Sequence, residues 1–346
     1  MIRIGVVGYG YWGPNLVRNF FECPDTEVAA VADMQQERLD LVARRYPGLR
    51  LTTTYKDLLN DPAIDAVAIS TPVTTHFPLA MEALRAGKHV LVEKPMAASI
   101  EEAERLIDEA ERRKLVLMVD HTFVYTGAVR KIRELIDKGS LGSLYYYDST
   151  RVNLGLFQHD VDVVWDLAVH DLSIMDFLLP QTPAAVSATG LSHVRGAAEN
   201  IAYVTAFYDS PLIAHLSVNW LSPVKVRRTL IGGSKQMVVY DDTESSEKVK
   251  LYDKGITVKN GPESLYKLLV GYRSGDMYCP QLDVTEALRL EAQHFAECIT
   301  TGKTPLTDGY SGLRVVSILE AASRSMKERG REVRLKTYAG TRPVCA

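Results

Sequence analysis

The stretch that decides the fold is "IRIGVVGYGYWGPNLVRNF", residues 2–20. It begins with a short apolar run rich in β-branched residues, passes through a glycine cluster, and ends in a pattern of helical period. Gly8, Gly10 and Gly13 form G-x-G-x-x-G between the predicted strand and the predicted helix. There the first glycine permits a tight turn, the second lets backbone approach a pyrophosphate, and the third lets the helix meet the strand. The stretch predicts a dinucleotide-binding βαβ unit.

The second predicted strand, "VAAVAD" (28–33), ends in Asp33 at its tip. A carboxylate there can accept hydrogen bonds from both ribose hydroxyls and would repel a 2′-phosphate. Met34, Gln35 and Gln36 follow it, so no arginine is directly adjacent and NAD is favoured over NADP. A Rossmann-like domain without a dinucleotide is the alternative. The predicted cofactor contacts are Gly8, Gly10, Tyr11, Trp12, Gly13, Asp33, Ser70, Thr71, Pro72, His76, Glu93 and Lys94.

Strand and helix patterns alternate through the first 120 residues, which is typical of βαβ units around a buried parallel sheet. In "SIEEAERLIDEAERRK", Ser99 and Glu102 form a capping box. We therefore predict a Rossmann domain over 1–120. The predicted strands are 2–7, 28–33, 65–70, 89–93 and 115–119.

The pattern changes after residue 140, where long runs of alternating hydrophobicity predict antiparallel strands with one covered face. We assign residues 121–346 to a second domain for substrate binding and oligomerisation, and the overall class is α/β with an α+β second domain. Helical patterns lie near 285–301 and 311–329, and the last helix is expected to pack back on the Rossmann domain. The predicted strands are 143–154, 200–209, 212–221 and 225–233.

Composition excludes several functional classes. A net charge of −3 and a pI near 6.3 argue against a nucleic-acid binder or a binder of anionic membranes. No apolar run approaches the roughly 18 residues of a membrane span, and the glycine-broken N-terminus is not expected to be a signal peptide. Cys23, Cys279, Cys298 and Cys345 are scattered, so we expect reduced thiols and a cytoplasmic protein.

Two further stretches, "STPVTTH" (70–76) and "VEKP" (92–95), follow strands of the predicted parallel sheet. Ligands bind at the carboxyl ends of strands in this architecture. Lys94 is therefore expected to point into a cleft rather than to be an ordinary solvated charge. The Lys94–Pro95 bond is a candidate for the cis form.

"VVWDLAVHD" (163–171) puts Asp166 and His170 four positions apart in an apolar run, and so on one face of a helix. Three interpretations are open: a metal half-site that draws on His159 and Asp160, a buried structural pair, or catalytic machinery. No ligand spacing here is diagnostic of zinc, and we predict no metal.

The order and spacing of "GxGxxG", "EKP" and the D-x-x-x-H of "WDLAVHD" resemble the glucose–fructose oxidoreductase / inositol dehydrogenase / rhizopine catabolism (Gfo/Idh/MocA) family along essentially the whole chain. The resemblance implies a Rossmann domain joined to an open-faced, mainly antiparallel sheet domain. It implies hydride transfer between a nicotinamide and a hydroxyl carbon of a sugar or cyclitol. Lys94 matches the lysine of EKP, and Asp166 and His170 match the D-x-x-x-H pair.

Oxidation of a secondary alcohol requires removal of the hydroxyl proton while hydride leaves carbon. A histidine can take that proton at neutral pH, and a lysine beside the same oxygen stabilises the developing negative charge. We expect His170 to be the base, Lys94 the electrostatic partner and Asp166 a positioning residue. Which of Lys94 and His170 takes the proton stays open.

Several stretches, among them "GYWGPNLVRN", "RVNLG" and "GYRSGDM", resemble the branch that acts on UDP-N-acetylglucosamine or its uronic acid at C3, in surface-polysaccharide pathways. A nucleotide sugar needs cations for its diphosphate. The phosphate candidates are Arg151, Lys225, Arg227, Arg228 and Arg273. Further substrate contacts are expected from His121, Asn153 and Tyr272.

Two alternatives remain. A free sugar or inositol would keep the chemistry and make the basic set unnecessary. A catalytically silent, NAD-sensing regulator belongs to another class, and the presence of Lys94, Asp166 and His170 together argues against it. The resemblance also implies a homodimer or homotetramer. The run "AHLSVNW" (214–220) is a candidate for the apolar face buried in it.

Overall fold

A computed structural model describes residues 1–155, 161–258, 270–336 and 338, with only the backbone of 256–258 and 270–271. The chain divides into two compact units, which are described separately. The first unit contains residues 1–126, 285–320 and 338–346, and the second contains 127–284 and 321–337.

The first unit is built around a parallel sheet whose six described strands run in the order β3-β2-β1-β4-β5-β6. This is the order of a doubly wound dinucleotide-binding fold, and it reverses between β1 and β4. The predicted Rossmann fold is confirmed. The strands are β1 (Ile2–Val7), β2 (Thr26–Ala32), β3 (Arg50–Thr52), β4 (Ala66–Ile69), β5 (His89–Glu93) and β6 (Leu117–Asp120).

Helices cover this sheet, and apolar residues from strands and helices form its core, including Val67, Val90 and Leu106. The capping box is present, because the Ser99 hydroxyl accepts from the Glu102 N–H at 3.2 Å. A 3₁₀ turn at Thr122–Tyr125 follows β6. The helices are α1 (Gly13–Glu22), α2 (Gln36–Arg45), α3 (Lys56–Leu59), α4 (Val73–Arg85) and α5 (Ile100–Arg113).

The second unit holds a mixed, mainly antiparallel sheet, as predicted. Its described strands run in the order β16-β13-β12-β11-β7-β10-β9-β8-β17, and only the β7–β10 pair is parallel. The strands are β7 (Leu144–Leu154), β8 (Ala185–Leu191), β9 (Ile201–Phe207), β10 (Ile213–Asn219), β11 (Leu221–Gly233), β12 (Met237–Asp241), β13 (Val249–Tyr252), β16 (Met277–Tyr278) and β17 (Val333–Arg334). A separate hairpin is formed by β14 (Gly255–Val258) and β15 (Val270–Arg273). The helices are α6 (Gly127–Asp137) and α7 (Val169–Leu178).

Two further helices lie near the positions predicted from the sequence: α8 (Ala287–Thr301) and α9 (Gly309–Lys327). Residues 285–320 belong to the first unit, so α8 is part of the unit that carries the glycine loop. This differs from the predicted boundary at residue 120, which assigned α8 to the second domain. The reason is packing: Phe295 of α8 lies edge-on to Phe20 of α1, and both are buried.

The two faces of the mixed sheet differ. Tyr147, Ser149 and Arg151 of β7 all contact Asp171 of α7, so this face is covered by a helix. On β10, Ala214, Leu216 and Val218 are buried on the same face, because residues paired across strands share a side. The apolar residues of "AHLSVNW" therefore do not supply an open apolar face. The face of the sheet opposite α7 carries the alternate residues of β10, which are Ile213, His215, Ser217 and Asn219.

No helix in the described ranges is long and apolar enough to cross a membrane. Cys23, Cys279 and Cys298 are free thiols. Cys345, His159 and Asp160, which entered the cysteine and metal arguments, lie outside the described residues.

Candidate active site

The glycine loop of the first unit has the geometry of a dinucleotide cradle. Gly8 has φ +91°, and a Cβ there would stand 2.6 Å from the Ser70 carbonyl oxygen. A Cβ on Gly13 would stand 2.2 Å from the Gly8 carbonyl oxygen. At Gly10 it would meet only the end of the flexible Arg38 side chain, at 3.4 Å. Two of the glycines are thus required by the protein itself, while the backbone at Gly10 is left open to a ligand.

Asp33 directly follows β2 and is held by main-chain donors. Its Oδ2 accepts from the Tyr9 N–H at 2.7 Å, and its Oδ1 accepts from the Gln35 N–H at 2.8 Å. Arg38 Nη1 lies 3.4 Å from Asp33 Oδ2. The adjacent positions hold no arginine, as predicted, but α2 brings a guanidinium back to the carboxylate one turn later. The glycine loop and the oriented Asp33 fit an NAD molecule.

His76 has a role that differs from the predicted contact with the cofactor. It is 1% exposed, and its two ring nitrogens lie 2.8 Å from the carbonyl oxygens of Thr71 and Pro95. It thus links the loop after β4 to the loop after β5, and presents no ring nitrogen to a ligand. The loop at Ser70 is tied to the glycine loop as well, because the Ser70 hydroxyl donates to the Gly8 carbonyl at 2.9 Å. We therefore regard His76 as a residue that positions these loops.

Lys94 follows β5, where the sequence predicted it, and the Lys94–Pro95 bond is cis. His121 follows the neighbouring strand β6 and is 3% exposed. Neither ring nitrogen of His121 has a hydrogen-bond partner within the described part of the chain. Burial, and then the positive charge of Lys94, lower the pKa of His121 to about 3. The first unit therefore holds a neutral, unsatisfied imidazole close to a lysine, at the carboxyl edge of its sheet.

The second set of predicted catalytic residues lies in the second unit, around the start of α7. Asp166 is in a π-helical turn, Val164–Ala168, and His170 is in the first turn of α7. π turns are rare and recur at functional sites. The Asp166 carboxylate accepts from the indole N–H of Trp220 at 3.0 Å. The sequence predicted the pair, but the π turn and the buried tryptophan that orients Asp166 were not foreseen.

Arg151 is placed differently from its predicted role as a phosphate ligand. It is 3% exposed, and its Nε donates to Asp171 Oδ2 at 2.5 Å. Its guanidinium is thus already engaged by a carboxylate inside the protein, which argues against phosphate binding. Asn153 lies two residues further along β7, so by alternation it shares the face that α7 covers.

The remaining predicted cations separate into paired and unpaired groups. Arg227 is paired with Asp242 at 3.2 Å, and Arg273 is paired with Asp253. Lys225 and Arg228 are exposed on β11, and neither makes an ion pair with a described residue. The register of β11 against β7 shifts between Leu221 and Val226, so Lys225 lies in an irregular part of the strand, directly before the Val226–Val152 pair. Arg228 pairs with Thr150, on the sheet face opposite Arg151, and Tyr272 is 90% exposed on β15.

Within the described ranges, no group of three or more His, Cys, Asp or Glu side chains is arranged to hold a metal ion. Two functional neighbours were missed by sequence reasoning. Arg38 lies beyond Met34, Gln35 and Gln36, the three positions directly after Asp33, but an arginine one helical turn on is a signal visible in the sequence. Asp120 was not among the predicted site residues, yet it accepts from the Trp12 indole N–H at 2.6 Å.

Known proteins resemble the chain along most of its length. Residues 2–121 match the oxidoreductase family with an NAD-binding Rossmann fold, GFO_IDH_MocA, and residues 129–239 match the GFO/IDH/MocA C-terminal domain. Scyllo-inositol 2-dehydrogenase (NAD(+)) from Bacillus subtilis is 26% identical over 98% of this chain and 97% of its own. UDP-N-acetylglucosamine 3-dehydrogenase from Acidithiobacillus ferrooxidans is 28% identical over 91% and 94%. A solved structure of the latter enzyme superimposes with a TM-score of 0.80, at 25% identity over 94% of this chain and 98% of that chain.

Proposed function

Because the chain belongs to the Gfo/Idh/MocA family of oxidoreductases, we propose that it transfers hydride between NAD and C3 of a nucleotide-linked sugar. The proposed sugar is UDP-N-acetylglucosamine or its uronic acid, on a route to a surface polysaccharide. The cofactor is NAD, in agreement with the family's NAD-binding fold and with the oriented carboxylate of Asp33.

The observation that carries the proposal is the buried, unsatisfied imidazole of His121, which lies close enough to Lys94 to be affected by its positive charge. A buried imidazole with two unsatisfied nitrogens is costly unless a ligand completes its hydrogen bonds. Because His121 stays neutral, it has one donor and one acceptor, which is what a sugar hydroxyl requires. Lys94 adds a positive charge near it. An enzyme for alcohol oxidation has use for both groups, whereas a silent NAD sensor has no chemical need for them.

The residues of the chain divide the proton chemistry between them. The bound NAD supplies the hydride acceptor. His170 takes the hydroxyl proton, Lys94 stabilises the negative charge that develops on the oxygen, and Asp166 orients the substrate. Asp166 is suited to that task because the Trp220 indole N–H holds its carboxylate in place.

The exposed charge of Lys225 supports the proposal that the sugar is linked to a nucleotide. Lys225 is an exposed cation in the irregular part of β11, directly before the Val226–Val152 pair, and it is not engaged by a described carboxylate. Phosphate oxygens would give it a partner. The similarity to UDP-N-acetylglucosamine 3-dehydrogenase over nine-tenths of both chains points the same way.

A free inositol is the second candidate, and one structural observation favours it. Of the five cations predicted for a diphosphate, Arg151, Arg227 and Arg273 are engaged by carboxylates. The basic set is therefore smaller than the sequence suggested. The match to scyllo-inositol 2-dehydrogenase also covers nearly the whole chain.

Turnover with a matched substrate panel separates the candidates. The purified protein is given NAD with UDP-N-acetylglucosamine, its uronic acid, free N-acetylglucosamine, glucose, scyllo-inositol and myo-inositol, and NADH formation is followed by absorbance. We expect kcat/KM to be at least about 100-fold higher for a UDP-sugar than for the matching free sugar. Equal values would reject the nucleotide sugar, and turnover of an inositol alone would establish the second candidate.

We also propose a cytoplasmic homo-oligomer. The described cysteines are unpaired, which suits a reducing compartment. Tyr203 and Ile213, on the sheet face opposite α7, are each nearly half-exposed and would be covered by a second copy. Light scattering of the purified protein distinguishes a monomer from a dimer or tetramer.

A further inference from the structure

Trp12 of the glycine loop is anchored to a strand more than a hundred residues away in sequence. Its indole N–H donates to Asp120 Oδ2 at 2.6 Å, and the Thr122 hydroxyl donates to Asp120 Oδ1 at 2.5 Å. Asp120 is 2% exposed and ends β6. Trp12 is the N-cap of α1, the position where a dinucleotide's pyrophosphate meets helix N–H groups. The hydrogen bond from the indole to Asp120 therefore holds the Trp12 side chain next to the position expected for the pyrophosphate.

A second carboxyl group, Glu291 of α8, lies against Asp120. It is fully buried, and within the described ranges no N–H or O–H group donates to either of its oxygens. Its helix packs on the 3₁₀ turn that follows Asp120, with the ring centroids of His294 and Tyr125 5.8 Å apart. The Asp120 and Glu93 carboxylates and the Thr122 hydroxyl are close enough to act on Glu291. Two carboxyl groups can satisfy each other only when one of them holds a proton, because an ionised carboxylate has no donor.

The donors decide which of the two holds that proton. Asp120 receives two hydrogen bonds that stabilise its anion, from Trp12 and Thr122. Glu291 receives none of comparable geometry, and an unpaired buried anion is strongly unfavourable. Burial, and then the Asp120 and Glu93 carboxylates, raise the pKa of Glu291 well above its usual range. The proton therefore resides on Glu291.

Two further contacts hold α8 against α1. The Arg18 guanidinium of α1 donates to both oxygens of Glu286, at 2.9 and 2.5 Å, directly before α8 begins. Phe20 and Phe295 meet in the core of the same unit. Glu291 thus lies on a helix that is held in register with α1, and its contact with Asp120 is fixed from both sides.

We propose that Glu291 is a positioning residue for NAD: as a neutral acid it donates to Asp120 and so keeps the Asp120 carboxylate available to hold Trp12 at the start of α1. An ionised Glu291 would place a second negative charge against Asp120 and favour protonation of Asp120. One Asp120 oxygen would then lose its acceptor role, and the indole of Trp12 would be released. The inference depends on NAD binding alone and is independent of which sugar is the substrate.

The test measures NADH binding and the protonated acid directly. Glu291→Met removes the donor at similar volume, and we expect about tenfold weaker NADH binding by protein fluorescence, the loss typical of a charge-assisted hydrogen bond. Glu291→Gln keeps a neutral donor and should restore affinity to within about threefold of the parent. In the infrared spectrum at neutral pH, both variants should lose a carboxylic-acid C=O band that the parent shows.

Controls distinguish positioning from a general loss of structure. Glu297→Gln lies on the same helix at an exposed ion pair with Lys303, so it should change neither the acid band nor NADH affinity. Trp12→Phe removes the indole N–H, and it should weaken binding as much as Glu291→Met, with no further loss in the double variant. Losses that add in the double variant, or parental affinity in Glu291→Met, would overturn the positioning role. An acid band that persists in Glu291→Gln would overturn the neutral state.

Discussion

Arg38 Nη1 lies 3.4 Å from Asp33 Oδ2, so the carboxylate expected to select NAD is accompanied by a guanidinium. Asp33 can accept from the ribose hydroxyls of NAD, and its charge repels a 2′-phosphate. Arg38 would attract that phosphate if the carboxylate were absent. Asp33 therefore favours NAD, and Arg38 would favour NADP. The preference of the site for NAD depends on the carboxylate of Asp33.

Asp33→Ser should weaken NADH binding about tenfold, through the lost hydrogen bonds to ribose, and strengthen NADPH binding about tenfold, through Arg38. Fluorescence titration with each cofactor measures both constants without any substrate. In Asp33→Ser/Arg38→Ala, the gain for NADPH should disappear while the loss for NADH remains. If the gain persists without the arginine, Arg38 is not the group that binds the phosphate.

Lys94→Ala and His170→Ala should each lower kcat by about 10²- to 10⁴-fold, the range for lost proton-transfer or charge-stabilising groups. NADH affinity of His170→Ala should stay close to that of the parent, which separates lost chemistry from lost cofactor binding. Initial rates and fluorescence titrations measure the two effects. Turnover that survives both substitutions would refute the assignment of the catalytic residues.

Lys225→Ala should raise KM for the UDP-sugar about tenfold with little change in kcat, because a contact to a remote phosphate contributes equally to the ground state and the transition state. Arg228→Ala is the matched control, since this exposed cation lies on the same strand and pairs with Thr150, on the sheet face opposite Arg151. Equal effects from both variants would mean that the charge of Lys225 acts only through the overall electrostatic field.

His121 should make the protein acid-sensitive. Its pKa is lowered to about 3 in the folded chain from 6.5, so between these values the unfolded chain binds a proton that the folded chain does not. The free energy of unfolding should therefore fall as pH drops from 6.5 toward 3, by up to about 1.4 kcal/mol per pH unit from this group. Urea unfolding of parent and His121→Gln across this range measures the slope. A variant slope as steep as the parent's would show that another group is responsible.

The elements predicted correctly from the sequence are those whose local residue pattern matches their environment in the folded protein. β1 and β5 begin and end where their patterns predict, because central strands of a parallel sheet are apolar on both faces. The glycine loop was also predictable, since Gly13 is required by its contact with Gly8 five residues earlier, and Gly8 by its positive φ as well as by Ser70 after β4. Lys94 followed from its position after such a strand.

Contacts between residues distant in the sequence could not be predicted from the sequence pattern. Arg151 looks like a free cation until α7 brings Asp171 to it, and His76 looks like a ligand until two carbonyl oxygens are found at its ring. Glu291 has the sequence environment of an ordinary helix-surface residue, but contact with Asp120 makes it a buried acid. Except for Thr71, which is five residues from His76, each of these partners is 19 or more residues away along the chain, where periodicity carries no information.

The return of α8 to the first unit also has a consequence for synthesis. Roughly 160 residues must be made after the 3₁₀ turn at Thr122–Tyr125 before α8 emerges, which takes about 10 to 30 s at ordinary translation rates. During that time Phe20 lacks Phe295, Arg18 lacks Glu286, and Asp120 lacks Glu291. The nascent Rossmann sheet thus lacks α8 and the start of α9 until residues 285–320 have been made. A fragment that stops at Thr126 should remain in that unfinished state and bind NAD poorly, however complete its glycine motif is.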